Sequence, residues 1–448
     1  MSASAQEAST NRRASCPAMM VAAPASNQGK TTVTAALARY HRNQGRRVRV
    51  FKTGPDFIDP MILEKASGAG VEQLDLWMVG EETCQALLAD AASQSDLILV
   101  EGVMGLYDGG PSSADLAKKF GLPVLLTVDA SGMAQSFGAV VHGFTTYDPE
   151  LAFAGVMANK VGSPGHADML LETLTGEVPY LGHMLRDADA VLPDRHLGLF
   201  QAAEISDLDV RLDRLAEQIE GSRLAELPLD VEFDSVEPDV VVQHLEGMTI
   251  ACANDAAFSF AYAANIRCLK AMGAEVKFFS PLNDNALPES DAIWLPGGYP
   301  ELHLDQLAQN LAMKIAMKSA HEAGTPILAE CGGLLYLLDI LEGVDGKKAE
   351  MAGLLPGHGK LNSKLSAIGA QSLATSSGVL RGHTFHYSSL ETSLASTARA
   401  TSVRLNKPGE AIYSVDNLVA SYVHFYFPSC PAAIADIFNS GKNDGVFG

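Results

Sequence analysis

Short runs of apolar residues alternate with helix-like segments along the first half of the chain. The runs are rich in Val, Leu, Ile and Ala and are bounded by Gly, Pro or Asp, which is typical of strands buried on both faces. Strands that alternate with helices in this way predict a parallel sheet covered by helices on both sides. The predicted strands are residues 19–23, 48–51, 97–100, 124–128 and 153–158.

The second half of the chain begins with a charged stretch and then again alternates short apolar runs with helix-like segments. A charged, then acidic and proline-containing stretch over residues 208–238 is typical of a solvated connector. A second α/β series follows, with a helical segment at 258–272, and beyond Gly353 short strands and turns predict an antiparallel appendage. The strands predicted in this series are residues 249–253, 275–279, 292–295 and 327–329.

The chain therefore has the pattern of two α/β domains, and its 448 residues suit two cores of ordinary size. The two series share no motif, so we do not expect an internal repeat. The predicted segments are a disordered tail at 1–17, a first α/β domain at 18–207, a helical and acidic linker at 208–246 and a second α/β domain at 247–448.

Composition and charge exclude several classes of protein. Hydrophobic residues make up 47% of the chain and charged residues 19%, as in an ordinary folded protein. The formal net charge of -21 argues against nucleic acid as a partner, because no excess of Lys and Arg exists to replace phosphate counterions. Six scattered cysteines without a CxxC pair favour a reducing cytoplasm over a disulfide or zinc framework. No stretch approaches the roughly 20 apolar residues of a membrane span, so we expect no membrane partner.

A glycine-containing loop follows the first predicted strand and opens a helix near Thr32. From Pro24 the loop reads PASNQGKTT, and it ends in Gly29, Lys30 and Thr31. A strand, such a loop and a helix N-terminus point N–H groups and a helix dipole at an anion, with the lysine reaching phosphates and a hydroxyl reaching magnesium. Although Pro24 stands where the usual motif has glycine, the pattern predicts a phosphate site. The alternative is a Gly-Lys turn before a surface helix.

Charged side chains follow the next two predicted strands. Lys52, Asp56 and Asp59 come after the second strand, and Glu101 and Asp108 come after the third. Because ligands of an open parallel sheet collect at the carboxyl ends of its strands, these side chains should share a crevice with the phosphate loop. Carboxylates beside phosphates suit magnesium, whereas any one of them taken alone could simply cap its loop.

The second α/β series offers a nucleophile. Cys331 lies where a strand runs into a helix, and a helix N-terminus lowers a thiol pKa and supplies N–H groups for an oxyanion. The other five cysteines lack this setting and are expected to be ordinary small residues. His424, in a late aromatic strand, is the candidate base, although a single histidine is more often structural.

Six motifs occur in a fixed order between about residue 18 and residue 428. They are GPDFIDP (54–60), EGVMGLYDG (101–109), RHLGL (195–199), LPGGYPEL (295–302), ECGGLLYL (330–337) and GHTFHYS (382–388). In these motifs the chain resembles the cobyrinic acid and hydrogenobyrinic acid a,c-diamide synthase family. The resemblance implies an α/β fold with a P-loop-type, dethiobiotin-synthetase-like ATP domain, followed by a flavodoxin-like class I glutamine amidotransferase domain. It also implies that ATP and magnesium phosphorylate acetate side chains of a corrin, and that ammonia from glutamine displaces the phosphate.

The resemblance also implies roles for individual residues. Those implied to bind ATP are Gly29, Lys30, Thr31, Thr32, Lys52 and Asn159, the last at the nucleobase. Those implied to bind magnesium are Thr31, Asp56 and Glu101. Those implied to be catalytic are Asp59 and Asp108 near the substrate carboxylate and Cys331 and His424 as the glutaminase pair, with Gly298 and Gly332 at the oxyanion turns.

The chain departs from the family's pattern at several positions. Phe57 stands where Tyr is common, residues 61–65 lack the family's His, and Asn254 stands where Arg is frequent. Tyr426 stands where class I amidotransferases usually carry Glu, which implies a Cys–His dyad. The departures leave sirohydrochlorin, sirohaem and nickel-sirohydrochlorin open as substrates. Outside enzymes, the alternative is a partition-ATPase-like nucleotide-binding regulator, and homodimer formation is left open.

Overall fold

The computed structural model describes residues 13–174, 176, 178–195, 198–235, 241–440 and 446–447. The chain divides into two units, Met1–Asp239 and Val240–Gly448. The boundary between them lies a few residues before position 247, where the second domain was predicted to begin. The α/β class predicted from the hydrophobic pattern is confirmed in both units.

The first unit is built on a parallel sheet whose strands alternate with helices. Its strands are β1 (Arg13–Ala22), β2 (Val48–Thr53), β3 (Glu72–Leu74), β4 (Leu97–Glu101), β5 (Val124–Asp129), β6 (Phe153–Val161), β7 (Tyr180–Leu185), β8 (Asp194–Arg195), β9 (Gly198–Leu199) and β10 (Asp230–Asp234). Its helices are α1 (Lys30–Asn43), α2 (Ile58–Ser67), α3 (Glu81–Gln94), α4 (Ser113–Lys119), α5 (Ser136–Tyr147), α6 (Pro164–Leu171) and α7 (Leu208–Glu217).

The strand order of this sheet brings three loops to one edge. The order is β3-β2-β4-β1-β5-β6-β7 with parallel neighbours, and β10 pairs antiparallel with the first half of β1. β4 is buried along its whole length, and its first four residues are apolar, as is typical of a strand covered on both faces. Its last residue, Glu101, is in register with Lys52 of β2 and Val21 of β1. The carboxyl ends of these three central strands therefore lie side by side.

The second unit combines a parallel core with an antiparallel extension. Its strands are β11 (Thr249–Ala253), β12 (Glu275–Phe279), β13 (Ala292–Leu295), β14 (Ile327–Glu330), β15 (Leu338–Glu342), β16 (Lys348–Glu350), β17 (Leu355–Leu361), β18 (Ala367–Thr375), β19 (Gly378–His386), β20 (Ser388–Glu391), β21 (Ala398–Ser402), β22 (Lys407–Val415), β23 (Leu418–Ser421) and β24 (His424–Tyr426). Its helices are α8 (Ala263–Ala271), α9 (Leu304–Gln309), α10 (Leu311–Glu322), α11 (Gly332–Leu337) and α12 (Pro431–Asn439).

The main sheet of this unit has the order β12-β11-β13-β14-β23-β22-β21-β18-β19-β24. From β12 to β23 the neighbours are parallel, and from there onward they are antiparallel. A smaller sheet has the order β16-β15-β17-β20. The antiparallel appendage expected beyond Gly353 is present. The helix predicted at 258–272 is shorter, because α8 begins only at Ala263.

Part of the predicted tail is a strand. Residues 13–17 pair with β10, Arg13 opposite Asp234 and Pro17 opposite Asp230. Cys16 is buried, so this stretch belongs to the fold and the tail prediction is wrong there. Residues 1–12 lie outside the described residues.

The predicted linker is largely a structural part of the first unit. Helix α7 buries Leu208, Leu212 and Leu215, and β10 buries Val231 and Phe233. Residues one turn apart on a helix, or two apart on a strand, share a face, and these apolar positions follow those two spacings. The charged residues between them face solvent and gave the stretch its connector-like composition. Residues 236–240 of this segment lie outside the described residues.

No helix in the described part of the chain is both long enough and apolar enough to cross a membrane.

Candidate active sites

The loop between β1 and α1 is braced by a residue from β6. Gly29 has a φ of 87°, and a Cβ added there would lie 2.2 Å from Nδ2 of Asn159. Glycine alone satisfies both the dihedral angle and the space. The same Nδ2 donates a hydrogen bond of 2.9 Å to the carbonyl oxygen of Gln28. Asn159 thus supports the loop, and its contact with a nucleobase stays a prediction.

The side-chain amine of Lys30 is held beside this loop by two backbone carbonyl groups. Its Nζ donates to the carbonyl oxygen of Met104 at 2.6 Å and to that of Ala25 at 3.1 Å. Burial, together with the charge of Lys52, lowers the pKa of Lys30 to about 8. An anion bound at the loop would favour the charged form of this amine. Thr32 lies in the first turn of the same helix.

The buried Lys52 is surrounded by predicted carboxylates at the edge of the sheet. Nζ of Lys52 lies 2.7 Å from Oε1 of Glu101 and 3.0 Å from Oδ2 of Asp59. It lies 4.0 Å from Oδ2 of Asp56. Thr31 donates from Oγ1 to Oε1 of Glu101 at 2.9 Å. The structure therefore brings together the residues that the strand-end argument placed in one crevice.

The charges of this cluster act on one another. Burial alone would lower the pKa of Lys52, but the carboxylates around it outweigh burial and raise that pKa. Burial raises the pKa of Glu101 to about 7 and, together with the neighbouring Asp59, raises the pKa of Asp56. Burial acts on Asp59 in the same sense, yet the Lys52 ammonium lowers its pKa. Lys52 therefore pairs with both Glu101 and Asp59, and three carboxylates share the charge of one ammonium group.

The residues at this edge fit a magnesium ion bound together with phosphates. Oε2 of Glu101 is buried and has no hydrogen-bond partner among the described residues, a costly situation that a cation would relieve. The described residues contain no group of three His, Cys, Asp or Glu side chains arranged as metal ligands. Magnesium needs few protein ligands when phosphates and waters complete its octahedron. Binding of magnesium by Thr31, Asp56 and Glu101 stays a prediction.

Two of the predicted carboxylates also cap their own loops. Oδ1 of Asp56 accepts hydrogen bonds from the N–H groups of Ile58 and Asp59, at 2.9 and 3.2 Å, where α2 begins. Oδ2 of Asp108 accepts one from the N–H of Gly105 at 3.1 Å. The capping alternative therefore applies to both residues in addition to their place at the crevice.

The RHLGL motif (195–199) adds no contact to this site, because residues 196–197 lie outside the described residues.

In the second unit, Cys331 lies at the bend between β14 and α11. Its φ of 45° and ψ of -101° are unusual for a residue with a side chain. Such strain is stored mainly at functional sites. The N–H of Cys331 donates to the carbonyl oxygen of Ser421 at 2.7 Å, which ties the bend to β23. The thiol is therefore held in one place by the fold.

The Gly-Gly turn after β13 packs on the start of α11. A Cβ added at Gly332 would lie 2.9 Å from the backbone nitrogen of Gly298. A Cβ at Gly298 would lie 2.1 Å from the carbonyl oxygen of Ala257. Side chains would not fit at either position, so the two backbones can lie side by side. Their role in binding an oxyanion stays a prediction.

His424 is buried against the same turn. A Cβ added at Gly297 would lie 2.2 Å from Cε1 of His424, so the imidazole occupies the space that any other residue at 297 would need. The backbone N–H of Phe260 donates to the carbonyl oxygen of Gly297 at 3.0 Å and fixes the turn. The candidate base is therefore positioned by backbone contact.

Glu330 links the strand before the thiol to the strand of the base. Its carboxylate accepts the N–H of Phe425 at 2.8 Å and the indole N–H of Trp294 at 2.9 Å. Burial raises the pKa of Glu330 to about 8, and the two donors oppose that rise. Because Glu330 precedes Cys331 and Phe425 follows His424, this carboxylate holds the two candidate catalytic residues in neighbouring positions.

The expected low pKa of the thiol is wrong for this structure. Burial, with the negative charge of Glu301, raises the pKa of Cys331, and the N–H of Gly332 only partly opposes this. Burial likewise lowers the pKa of His424 well below its usual value. The resting pair is therefore a neutral thiol and a neutral imidazole. A neutral imidazole is ready to accept the thiol proton when the reaction begins.

Sequence reasoning missed several residues of this site. Glu330, Gly297 and His383 lie in motifs that indicated the family but were given no role of their own. The signal available for Gly297 was the doubled glycine of the turn. Glu330 offered only a carboxylate directly before the candidate nucleophile. His383 offered only a second histidine in a strand pattern.

Two family models match the chain, one in each unit. Residues 19–199 match the CobQ/CobB/MinD/ParA nucleotide binding domain. Residues 249–431 match the CobB/CobQ-like glutamine amidotransferase domain. These ranges contain the phosphate loop and the candidate Cys–His pair, respectively.

Relatives match over nearly the whole chain. The hydrogenobyrinate a,c-diamide synthase of Pseudomonas aeruginosa is 53% identical over 96% of this chain and 99% of its own length. The chain belongs to the a,c-diamide synthase family. The cobyrinate a,c-diamide synthase of Herminiimonas arsenicoxydans is 51% identical over 94% of this chain and 96% of its own length. That of Listeria innocua is 35% identical over 95% of this chain and 99% of its own length.

Membership of the a,c-diamide synthase family confirms the resemblance carried by the six motifs. A nucleotide-binding domain joined to a glutamine amidotransferase domain makes the chain a glutamine-dependent amidating ligase. The alternative of a partition-ATPase-like regulator is wrong, since relatives named as synthases span both domains.

Proposed function

We propose that this protein converts hydrogenobyrinate or cobyrinate into its a,c-diamide, with ATP and glutamine as co-substrates, in cobalamin biosynthesis. The observation that carries the proposal is the match of synthases with these substrates along both units. The phosphate loop with its carboxylates, and the buried Cys–His site, support it because the reaction needs both chemistries. Six free and buried cysteines support a reducing cytoplasm as its location.

The first half-reaction activates an acetate side chain. A carboxylate is a poor electrophile at neutral pH, and transfer of the ATP γ-phosphoryl group gives an acyl phosphate whose phosphate can leave. Lys30 and Lys52 are proposed to neutralise charge on the transferring group, and the carbonyl oxygen of Met104 and the carboxylate of Glu101 hold their amines. Thr31, Asp56 and Glu101 are proposed to hold magnesium, which would supply further neutralisation of the phosphate oxygens. Asp59 and Asp108 are proposed to orient the acetate and its attacking ammonia.

The second half-reaction releases ammonia from glutamine. Cys331 attacks the side-chain amide while His424 takes the thiol proton and passes it to the leaving ammonia. The N–H groups of Gly298 and Gly332 are proposed to stabilise the tetrahedral oxyanion. Water then clears the thioester to give glutamate, and ammonia displaces phosphate from the activated acetate.

Stoichiometry tests this function. Each amide formed should be accompanied by one ADP, one phosphate and one glutamate, and each diamide by two of each. ADP, glutamate and amide are quantified in the same reaction mixture. Glutamate release without ADP and amide, in the presence of a suitable ring, would contradict the proposal. The competing substrates sirohydrochlorin, sirohaem and nickel-sirohydrochlorin are distinguished by the mass of the product.

ATP binding is expected to bring a proton to Lys30. The pKa of this amine is lowered to about 8 in the free protein, and phosphate oxygens beside it raise the pKa again. Most of one proton is therefore taken up per ATP at about pH 8.5, and ATP affinity falls as the pH rises through 8. Calorimetry in two buffers of different ionisation enthalpy measures this uptake. Binding without proton uptake at that pH would contradict the assignment.

Replacement of Gly297 by Ala is expected to reduce glutamine hydrolysis by about 100-fold, because the new Cβ displaces His424 from its place. Amidation with added ammonium salt should be unchanged, since the first unit is untouched. Glutamate release measures the loss. The matched control is Gly143→Ala, where a Cβ meets no atom within 4 Å. Normal hydrolysis by the Gly297→Ala protein would show that the imidazole position is not critical.

A further inference from the structure

A second histidine lies against the candidate base. His383 of β19 is the register partner of His424 in the antiparallel pair β19–β24. The two ring centroids are 5.0 Å apart and the ring planes differ by 17°, which is a stacked arrangement. Both rings are buried. The orientation of the base is therefore set by an aromatic face as well as by the backbone of Gly297.

A tyrosine fixes the plane of this second histidine. Nδ1 of His383 and the hydroxyl of Tyr262 are joined by a buried hydrogen bond of 3.0 Å. Tyr262 directly precedes α8, so its position is anchored by a different element from the one that carries His383. A ring held by its strand at one end and by a hydrogen bond at the other cannot turn freely.

The contacts of His383 and Tyr262 extend to Tyr426, a position at which the chain departs from other class I amidotransferases. Tyr426 stands where those enzymes usually carry the Glu that supports the base. Its ring packs edge-on against Tyr262, with centroids 5.8 Å apart. The chain thus has aromatic and imidazole groups around His424 in the region where a carboxylate would otherwise act.

The charge state of His383 suits this location. Burial lowers the pKa of His383 to about 3, so the ring is neutral at physiological pH. When His424 accepts the thiol proton it becomes an imidazolium. A positive charge on His383 would lower the pKa of His424 further, and a neutral His383 avoids that repulsion. Because it is buried and neutral, His383 does not repel the imidazolium form of His424.

We propose that His383, held by Tyr262, is a positioning residue that orients the base His424 to accept the thiol proton of Cys331. This inference rests on the glutaminase half of the proposed function. It assigns to a stacked histidine and its tyrosine the part that a carboxylate has in enzymes with Glu at the position of Tyr426. No covalent step is added, since the thiol proton still moves to His424.

The test uses two variants that delete one polar function each. His383→Phe keeps a flat ring of similar size and removes the hydrogen bond to Tyr262. Tyr262→Phe removes a single oxygen and leaves every ring in place. Tyr413→Phe serves as the matched control, because it removes a half-buried hydroxyl from β22 of the same unit. Each protein is assayed for glutamine hydrolysis, for ammonia-dependent amidation and for the rate of Cys331 alkylation by iodoacetamide at neutral pH.

The expected result is a defect confined to the Cys331–His424 pair. For both variants kcat for glutamine hydrolysis should fall by roughly 10- to 100-fold, with KM for glutamine nearly unchanged. The rate of Cys331 alkylation at neutral pH should fall by a similar factor, because a misoriented imidazole no longer takes the thiol proton. Ammonia-dependent amidation, and all activities of the control protein, should match the wild type.

Two results would overturn the inference. If His383→Phe and Tyr262→Phe hydrolyse glutamine at the wild-type rate, the stacked ring only fills space. If glutamine hydrolysis falls while Cys331 is alkylated at the wild-type rate, the His383–Tyr262 network does not orient the imidazole toward the thiol. A wild-type protein that releases no glutamate would instead contradict the proposed function itself, so the two failures are distinguishable.

Discussion

The Cys331→Ser protein is expected to lose glutamine-dependent amidation by a factor on the order of 10⁴, while amidation with ammonium salt continues at the wild-type rate. A serine hydroxyl is a far weaker nucleophile toward an amide than the thiolate that His424 generates. The strained bend at Cys331 is unchanged by this exchange of one atom. Glutamine hydrolysis and amide formation, each measured with both nitrogen sources, give the two rates.

The control for this result is Cys430→Ala, which removes another buried cysteine from the second unit, where α12 begins. That protein should use glutamine normally. If Cys331→Ser retained more than a few per cent of the glutamine-dependent rate, or if Cys430→Ala lost it, Cys331 would not be the nucleophile.

Replacement of Lys30 by Met should have the second large effect, a loss on the order of 10³-fold in amidation with either nitrogen source. The amine lies at the phosphate loop, where the carbonyl oxygens of Ala25 and Met104 hold it. A methionine keeps the length of the side chain but offers neither charge nor donor to the transferring phosphoryl group. Glutamine hydrolysis at Cys331 should persist, because the second unit carries that chemistry alone.

The matched control for Lys30→Met is Lys119→Met, which changes a partly exposed lysine that pairs with Glu81 on the surface. Exposed pairs of this kind contribute little to stability, so this protein should behave as the wild type. Substantial amidation by the Lys30→Met protein would contradict the phosphate site at this loop. Loss of glutamine hydrolysis in the same protein would show instead that the two chemistries depend on each other.

The parallel cores of both units could be predicted because their strands are buried on both faces. A strand such as β4 begins with four consecutive apolar residues and has no competing helical pattern. The predicted bounds 249–253 and 292–295 coincide with those observed for β11 and β13. The bounds 275–279 also coincide with those of β12, although only Phe279 of that strand is buried. Burial on both faces leaves little choice of residue, so the sequence signal is strong.

The parts that could not be predicted are edge and surface elements. β10 pairs with the first half of β1, and only Val231 and Phe233 of it are buried. Two buried residues among acidic ones give the composition of a connector. The same holds for α7, whose leucines are separated by charged residues that face solvent. Pairing across more than two hundred residues is decided by tertiary contacts, which a local pattern does not contain.

The candidate sites were predictable in position but less so in electrostatics. Strand ends placed Lys52, Asp59 and Glu101 together, and the structure has them within hydrogen-bond distance. The pKa of Cys331 was expected to be low because a helix begins there. In the folded protein burial outweighs the helix N-terminus and raises that pKa. The depth of burial is a property of the whole unit and is not visible in the bend itself.

The most direct test of the central claim is mass spectrometry of the products formed from hydrogenobyrinic acid, cobyrinic acid and sirohydrochlorin. Each ring is incubated with the protein, ATP, magnesium and glutamine, and in parallel with ammonium salt in place of glutamine. We predict replacement of two carboxyl groups by amides on a corrin, with fragmentation that places them on the a and c acetates. Product from sirohydrochlorin alone would contradict the substrate, and no amide on any ring with either nitrogen source would contradict the ligase reaction.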